Sequence, residues 1–252
     1  MFPWADTVAR RYPPVAVWSV VGISLLAFLY QSGLPPRALN RFLFDFALVP
    51  SRVFGQLRLI APSDWTPFLT NIFLHAGWLH LILNMWTLWI FGPAVEDRLG
   101  PVRFALFYLF CGLAAGLAHA LANPDSVVPA LGASGAIAGV IGCYARMFPA
   151  ARLVVIVPIL VIPLFFEISA LTFAMIWFVM QLIPGLMSLG DTATGGVAWW
   201  AHIGGFVSGW LASPILRRPA VTYRNGIVKL TSAKQKRDAR HVHCSCASDL
   251  RP

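Results

Sequence analysis

Five stretches of this chain are apolar over nearly the length a helix needs to cross a bilayer: residues 15–30, 68–91, 104–122, 133–148 and 197–216. A crossing helix takes about 20 such residues. A sixth lies inside the apolar run 153–183, which is too long for one simple crossing. Pro158 and Pro163 interrupt the first half of that run, and a proline inside a helix kinks or ends it. Glu167 then marks a boundary, so 168–184 is read as the fifth span and 153–166 as interfacial or partly extended. The expectation is an all-α, polytopic membrane protein built as a six-helix bundle. Composition agrees: 12% of the 252 residues are charged, against about 25% in soluble domains. Three parts are expected: an N-terminal cytoplasmic segment 1–14, a membrane domain 15–216 and a basic tail 217–252. Residues 1–14 do not read as a cleavable signal, because Pro3, Asp6, Arg10 and Arg11 precede the apolar run and no small-residue cleavage site follows it.

Charge sets the orientation. With the N-terminus in the cytoplasm, Arg10, Arg11, Arg98, Arg103, Arg146, Arg152 and nine residues of the tail fall inside. Arg37, Arg41, Arg52 and Arg58 fall outside, all in the first loop between Gly33 and Trp65. This asymmetry predicts both termini in the cytoplasm. The tail carries Arg217, Arg218, Arg224, Lys229, Lys234, Lys236, Arg237, Arg240 and Arg251 directly after a span. That placement favours contact with anionic lipid over nucleic acid.

Against this apolar background four polar residues stand out: His80 with Asn84, Ser134, and His202. Ionisable groups inside spans default to function. In the expected topology the second, fourth and sixth helices all run from outside to inside, and His80, Ser134 and His202 come early in each. They therefore share the outer end of the bundle. Asn84 follows His80 by four residues, on the same helix face one turn deeper. Small residues around Ser134, and Gly205 and Gly209 after His202, suit close helix approach.

A serine hydroxyl becomes a nucleophile when a base takes its proton. His202 is the candidate base. With Asp191 in an outer loop and Glu167 near the other membrane side, a dyad is expected rather than a triad. The S-x-x-K pattern fails at Ile137, and G-x-S-x-G fails at Ala136. His80, Asn84 and the Ser134 backbone N–H can donate to an oxyanion, with Gly132 and Gly135 admitting a substrate backbone. His75 and His119 read as structural hydrogen bonders. Cys111 and Cys143 lie in spans, and the tail run His241 to Cys246 fits no standard zinc spacing.

In order and spacing, HAGWLHLILNM at 75–85, VEDRLG at 95–100, GASG at 132–135 and AHIGGF at 201–206 resemble the rhomboid family of intramembrane serine proteases. The resemblance covers about residues 13–216. It implies Ser134 as nucleophile, His202 as general base, and His80 and Asn84 in the oxyanion hole. It implies cleavage of transmembrane segments of other proteins, often after small residues in helix-unstable stretches, with neither metal nor cofactor. The implied partners are transmembrane substrates and the lipid bilayer; oligomeric state is left open. The family's first outer loop lies partly in the membrane, which suits Trp65 and the apolar stretch 42–49. The chain departs from the family at two points. Trp65 is followed by Thr66 where Arg is common, and Ala138 stands where an aromatic often stacks on the histidine, leaving Trp199 or Phe206 to hold His202. Two rivals differ in prediction: an inactive relative that binds membrane clients lacks the serine or histidine, and a small transporter needs broken helices with charged centres.

Overall fold

Proline and glycine set where the long helices begin and end. The structure is a computed structural model, and it describes residues 2–54, 65–159, 162–188, 197–216, 221–224 and 227–230. Helix α1 spans Val15–Ser32, and shorter helices α2 (Pro36–Phe46), α3 (Pro50–Phe54) and α4 (Thr66–Thr70) follow, with a 3-10 turn at Asn71–Phe73. Helices α5 (Trp78–Leu99) and α6 (Pro101–Ala122) are 22 residues each and are joined by Gly100 alone. Gly100 sits at φ +83°, a conformation disfavoured for residues with a Cβ. Pro101 takes the first position of α6, where its missing N–H costs no hydrogen bond.

This arrangement shifts the second expected span. Residues 68–77 are not part of the long helix, which starts at Trp78 and continues through Pro93 to Leu99. Burial overrides the proline: Phe91, Gly92, Pro93, Ala94, Val95 and Glu96 are all buried against the core. The VEDRLG run closes this helix. Its two carboxylates hold the start of the chain. Buried Glu96 accepts from the N–H groups of Ala16 and Val17 at 2.9 Å each, satisfying the open end of α1. Asp97 accepts from the N–H groups of Arg11 and Tyr12 at 2.9 and 3.0 Å.

Among the described residues four helices are long and apolar enough to cross a membrane: α1, α5, α6 and α8 (Ala170–Met187). Length and composition thus single out four of the six expected crossings. Helix α7 (Ser134–Met147) has 14 residues, about 21 Å of helix against a hydrocarbon core of about 30 Å. Helix α9 (Trp199–Leu216) has 18 residues, among them three glycines, two serines and a histidine. The physical reason is position. Every residue of α7 from Gly135 to Ala145 is buried, so these positions need small side chains for packing more than apolar ones for lipid.

The chain is mostly helical, but a small antiparallel sheet stands beside the helices. The β-branched run of β2 (Arg152–Ile159) pairs with β3 (Ile162–Ser169), and Pro158 falls opposite Pro163. The stretch expected as interfacial or extended is therefore a hairpin. Strand β1 (Phe2–Asp6) adds to the free side of β2, with a register shift between Pro3 and Ala5. The Tyr144 hydroxyl donates to Asp6 at 2.9 Å and the Trp86 indole N–H to the Pro3 carbonyl at 2.8 Å, tying the sheet to α7 and α5. Arg152 and Glu167 pair across the hairpin at 3.0 Å.

Residues 217–252 form a separate unit. It contains an antiparallel pair, β4 (Val221–Arg224) and β5 (Ile227–Leu230). The remaining basic residues of the tail, the run His241 to Cys246, Arg58 and Asp191 lie outside the described residues.

Helices α7 and α9 touch backbone to backbone. A Cβ on Gly205 would collide with the Gly135 carbonyl oxygen, and one on Gly209 with the Gly139 carbonyl oxygen. Backbone atoms of a helix core cannot yield as a side-chain tip can. Gly209→Ala is therefore expected to destabilise the bundle by about 1–3 kcal/mol, the usual cost of overpacking, read as a lower detergent-denaturation midpoint. An unchanged midpoint would contradict this contact.

Candidate active site

Three helix starts and a loop converge on one cavity of about 1060 Å³, lined by His80, Asn84, His119, Ser134, Trp177, Gln181 and His202 among others. Ser134 opens α7, so its N–H is one of the groups an α-helix leaves without an internal partner. His202 lies in the first turn of α9 and is buried. The close approach of these two helices places His202 Nε2 2.7 Å from Ser134 Oγ.

The other ring nitrogen of His202 is also engaged. Nδ1 lies 2.8 Å from Gln181 Oε1, and the Gln181 amide nitrogen donates to the Trp177 carbonyl at 3.3 Å. The Trp177 ring is tilted against His202 with centroids 5.9 Å apart, and Trp199 meets it edge-on at 6.3 Å. Of the two residues expected to hold the histidine, Trp199 touches it, whereas Phe206 stacks on Trp177 instead. Gln181 and Trp177 escaped the sequence reading. The available signal was a lone amide at 181 in an otherwise apolar helix, one turn after a tryptophan, and its partner on α9 was not deducible from spacing.

His80 and Asn84 line the same cavity. The Ala76 N–H donates to His80 Nδ1 at 3.4 Å, which puts the ring proton on Nε2. Asn84 Nδ2 donates to the His80 carbonyl at 2.9 Å, leaving its second N–H for another acceptor. Gly132 marks the space between these groups. It sits at φ +130°, and a Cβ there would lie 2.9 Å from His80 Nε2 and 3.7 Å from Ser134 Oγ.

The loop carrying Gly132 is fixed from the other side. Gly132 N–H donates to the Asn71 carbonyl at 2.9 Å, and residues 48 and 130 exchange two backbone hydrogen bonds at 3.0 and 2.7 Å. Asn71 is itself buried and donates to the Pro67 and Phe68 carbonyls at 2.5 and 2.9 Å. His75 is buried beside His80, with ring centroids 5.2 Å apart and Nδ1 3.2 Å from the Phe73 carbonyl. Gln31 on α1 donates to the His75 carbonyl at 2.6 Å. His119 lines the cavity and contacts Asn123 on its own helix end. Among the described residues no three His, Cys, Asp or Glu side chains gather as a metal site.

A polar cavity among apolar helices defines the class: an integral, multi-pass membrane protein with a polar pocket between its helices. A family model described as the rhomboid domain matches residues 62–219, well over half of the chain. The chain belongs to the rhomboid family. It is 39% identical over 142 residues to YdcA of Bacillus subtilis, covering 56% of this chain and 66% of that one. It is 44% identical over 84 residues to rhomboid protease GluP of the same organism, covering 33% of this chain and 16% of that one. It is 30% identical over 156 residues to rhomboid protein 1, mitochondrial, of Saccharomyces cerevisiae, covering 60% and 42%. The chain thus spans less than two thirds of the length of each of these relatives.

The geometry at Gly132 generates a test. Gly132→Ala adds a methyl against His80 and enforces a strained φ, so modification of Ser134 by a small fluorophosphonate is expected to fall to background in folded protein. Labelling at the rate of the parent chain would show that this space is not used.

Proposed function

We propose that this chain is an intramembrane serine endopeptidase that hydrolyses peptide bonds in or near transmembrane segments of other membrane proteins. The observation that carries the proposal is the 2.7 Å contact between Ser134 Oγ and His202 Nε2 at the wall of a cavity large enough for a peptide segment and water. Family membership supports the same reading. Residues 15–216 are the catalytic membrane domain, flanked by segment 1–14 and the basic tail 217–252. Helices α1, α5, α6, α7, α8 and α9 are the six spans, with both termini cytoplasmic on the strength of the Lys and Arg asymmetry.

The chemistry follows from proton inventory. Ser134 Oγ attacks the scissile carbonyl carbon as His202 Nε2 accepts its proton. The carbonyl oxygen becomes an oxyanion, held by the His80 Nε2–H, the free Asn84 N–H and the Ser134 backbone N–H. Each well-aimed donor of this kind lowers the barrier by roughly 3–4 kcal/mol in soluble proteases. The tetrahedral intermediate collapses, the C–N bond breaks, and His202 returns its proton to the leaving amine. Water then attacks the acyl-serine with His202 again as base, releasing the acid and restoring Ser134. No metal or cofactor enters these steps.

Ser134→Ala and His202→Ala are each expected to abolish cleavage of a model transmembrane substrate in proteoliposomes while the protein stays folded. Full activity in either variant overturns the assignment. Fluorophosphonate labelling lost in Ser134→Ala separates a protease from a relative that only binds clients. Asn84→Ala is expected to slow cleavage by roughly 10²–10³-fold, the effect of removing one oxyanion donor.

A further inference from the structure

We infer that Gln181 is a positioning residue for the base: its side-chain oxygen accepts the Nδ1–H of His202 and so keeps the lone pair of Nε2 on Ser134. This rests on the function proposed above and adds a third member, from α8, to the pair contributed by α7 and α9. The argument begins with the imidazole. A neutral histidine carries its proton on one nitrogen only, and a general base needs a bare Nε2. In the wrong tautomer Nε2 holds a proton and cannot accept one from the serine.

The amide at 181 decides the tautomer because its own orientation is fixed. Gln181 Nε2 donates to the Trp177 carbonyl at 3.3 Å, one turn back on the same helix. Turning the amide over would set its oxygen against that carbonyl oxygen, two acceptors facing each other. Oε1 therefore faces His202 Nδ1, at 2.8 Å, and an oxygen there can only accept. Nδ1 must be the protonated nitrogen. The distance from Nε2 to Ser134 Oγ, 2.7 Å, is then that of a hydroxyl donating to a lone pair.

Burial makes this arrangement costly to disturb. Both Gln181 and His202 are buried, and a buried polar group that loses its partner forfeits the full desolvation penalty. Trp177 closes one side of the imidazole and Trp199 an edge, so the ring has little room to rotate. A neutral amide sets the tautomer without placing a formal negative charge beside the imidazolium that forms during attack. It therefore acts through the orientation of His202 and not by contact with the substrate.

The expected signature is specific. In the full chain in liposomes, with nitrogen-15 in its histidines, His202 is assigned by the signal lost in His202→Ala. Its shifts should report a protonated Nδ1 in the parent protein. Gln181→Leu should move the signal toward the Nε2-protonated form. It should lower kcat by about 10- to 100-fold, the range seen when outer partners that orient ligating histidines are removed, with KM little changed. Gln181→Glu, which offers an oxygen acceptor in either protonation state, should recover most of the lost rate, and Gln181→Met should not. An Nε2-protonated His202 in the parent protein overturns the inference, whether or not the variants fold. So does a Gln181→Leu protein that keeps the parent kcat. In either case a dead, unlabelled Ser134→Ala protein leaves the protease reading standing. Cleavage by Ser134→Ala would instead defeat that reading at its root.

Discussion

The contact on which the rest depends is backbone against backbone, between α7 and α9. Gly135 faces Gly205 and Gly139 faces Gly209. Both steps are four residues long, so the two contacts lie one turn apart on each helix and fix register as well as distance. Ser134 precedes Gly135 by one residue, and His202 precedes Gly205 by three. Once the glycines are seated, the hydroxyl and the imidazole have little choice but to meet. A single methyl at Gly205 or Gly209 would separate the helices before it touched either functional group. The pairing of Ser134 with His202 is in this sense a consequence of packing. In a lipid setting, where apolar helices gain little from hiding from water, such close packing is a main source of helix association.

Several polar side chains elsewhere in the bundle bond to the backbone. Glu96 closes the start of α1, Asp97 holds Arg11 and Tyr12 ahead of it, Gln31 takes the His75 carbonyl, and Asn71 takes the carbonyls of Pro67 and Phe68. The Gln31 and Asn71 bonds hold the segment beside the cavity, and those of Glu96 and Asp97 lie at the far end of α5. His80 keeps its Nε2–H, Asn84 keeps one N–H, and Ser134 keeps its backbone N–H, all in a space left open by Gly132. A low-dielectric interior makes uncommitted donors expensive, and a developing negative charge is the partner that would use them.

Much of this was legible in the chain, for identifiable reasons. The long apolar helices announce themselves because lipid-facing surface demands apolarity all round, and the helix starts at Ser134 and near His202 follow from the small-residue runs beside them. The second span was misplaced at both ends, since Pro93 reads as a breaker locally and only the burial of residues 91–96 keeps it helical. The hairpin of β2 and β3 was hidden because a run of apolar β-branched residues has the same composition whether it spans or pairs, and β1 joins it from about 150 residues away. Burial also hid the shortness of α7. Gln181 was out of reach for another reason. Its partner lies 21 residues on, across a helix interface, and no local spacing predicts which face of α8 meets α9.

That interface gives α8 a double position. It supplies Trp177 and Gln181 to the cavity wall, opposite Leu83, Asn84 and Thr87 of α5. Its other face exposes Leu171, Met175, Ile176, Val179, Met180 and Ile183, a surface made for lipid and not for protein. The bond from Gln181 to His202 is 2.8 Å long, and a hydrogen bond is gone by about 3.6 Å, so a displacement of α8 by roughly 1 Å would break it. A displacement of α8 that widened the cavity would therefore also release His202. If substrate enters past α8, His202 loses its orienting partner while the wall is displaced and regains it when the helix reseats. In the proposed reaction, attack by Ser134 would then be favoured only with α8 seated, because the orienting amide stands on α8 and not on α7 or α9.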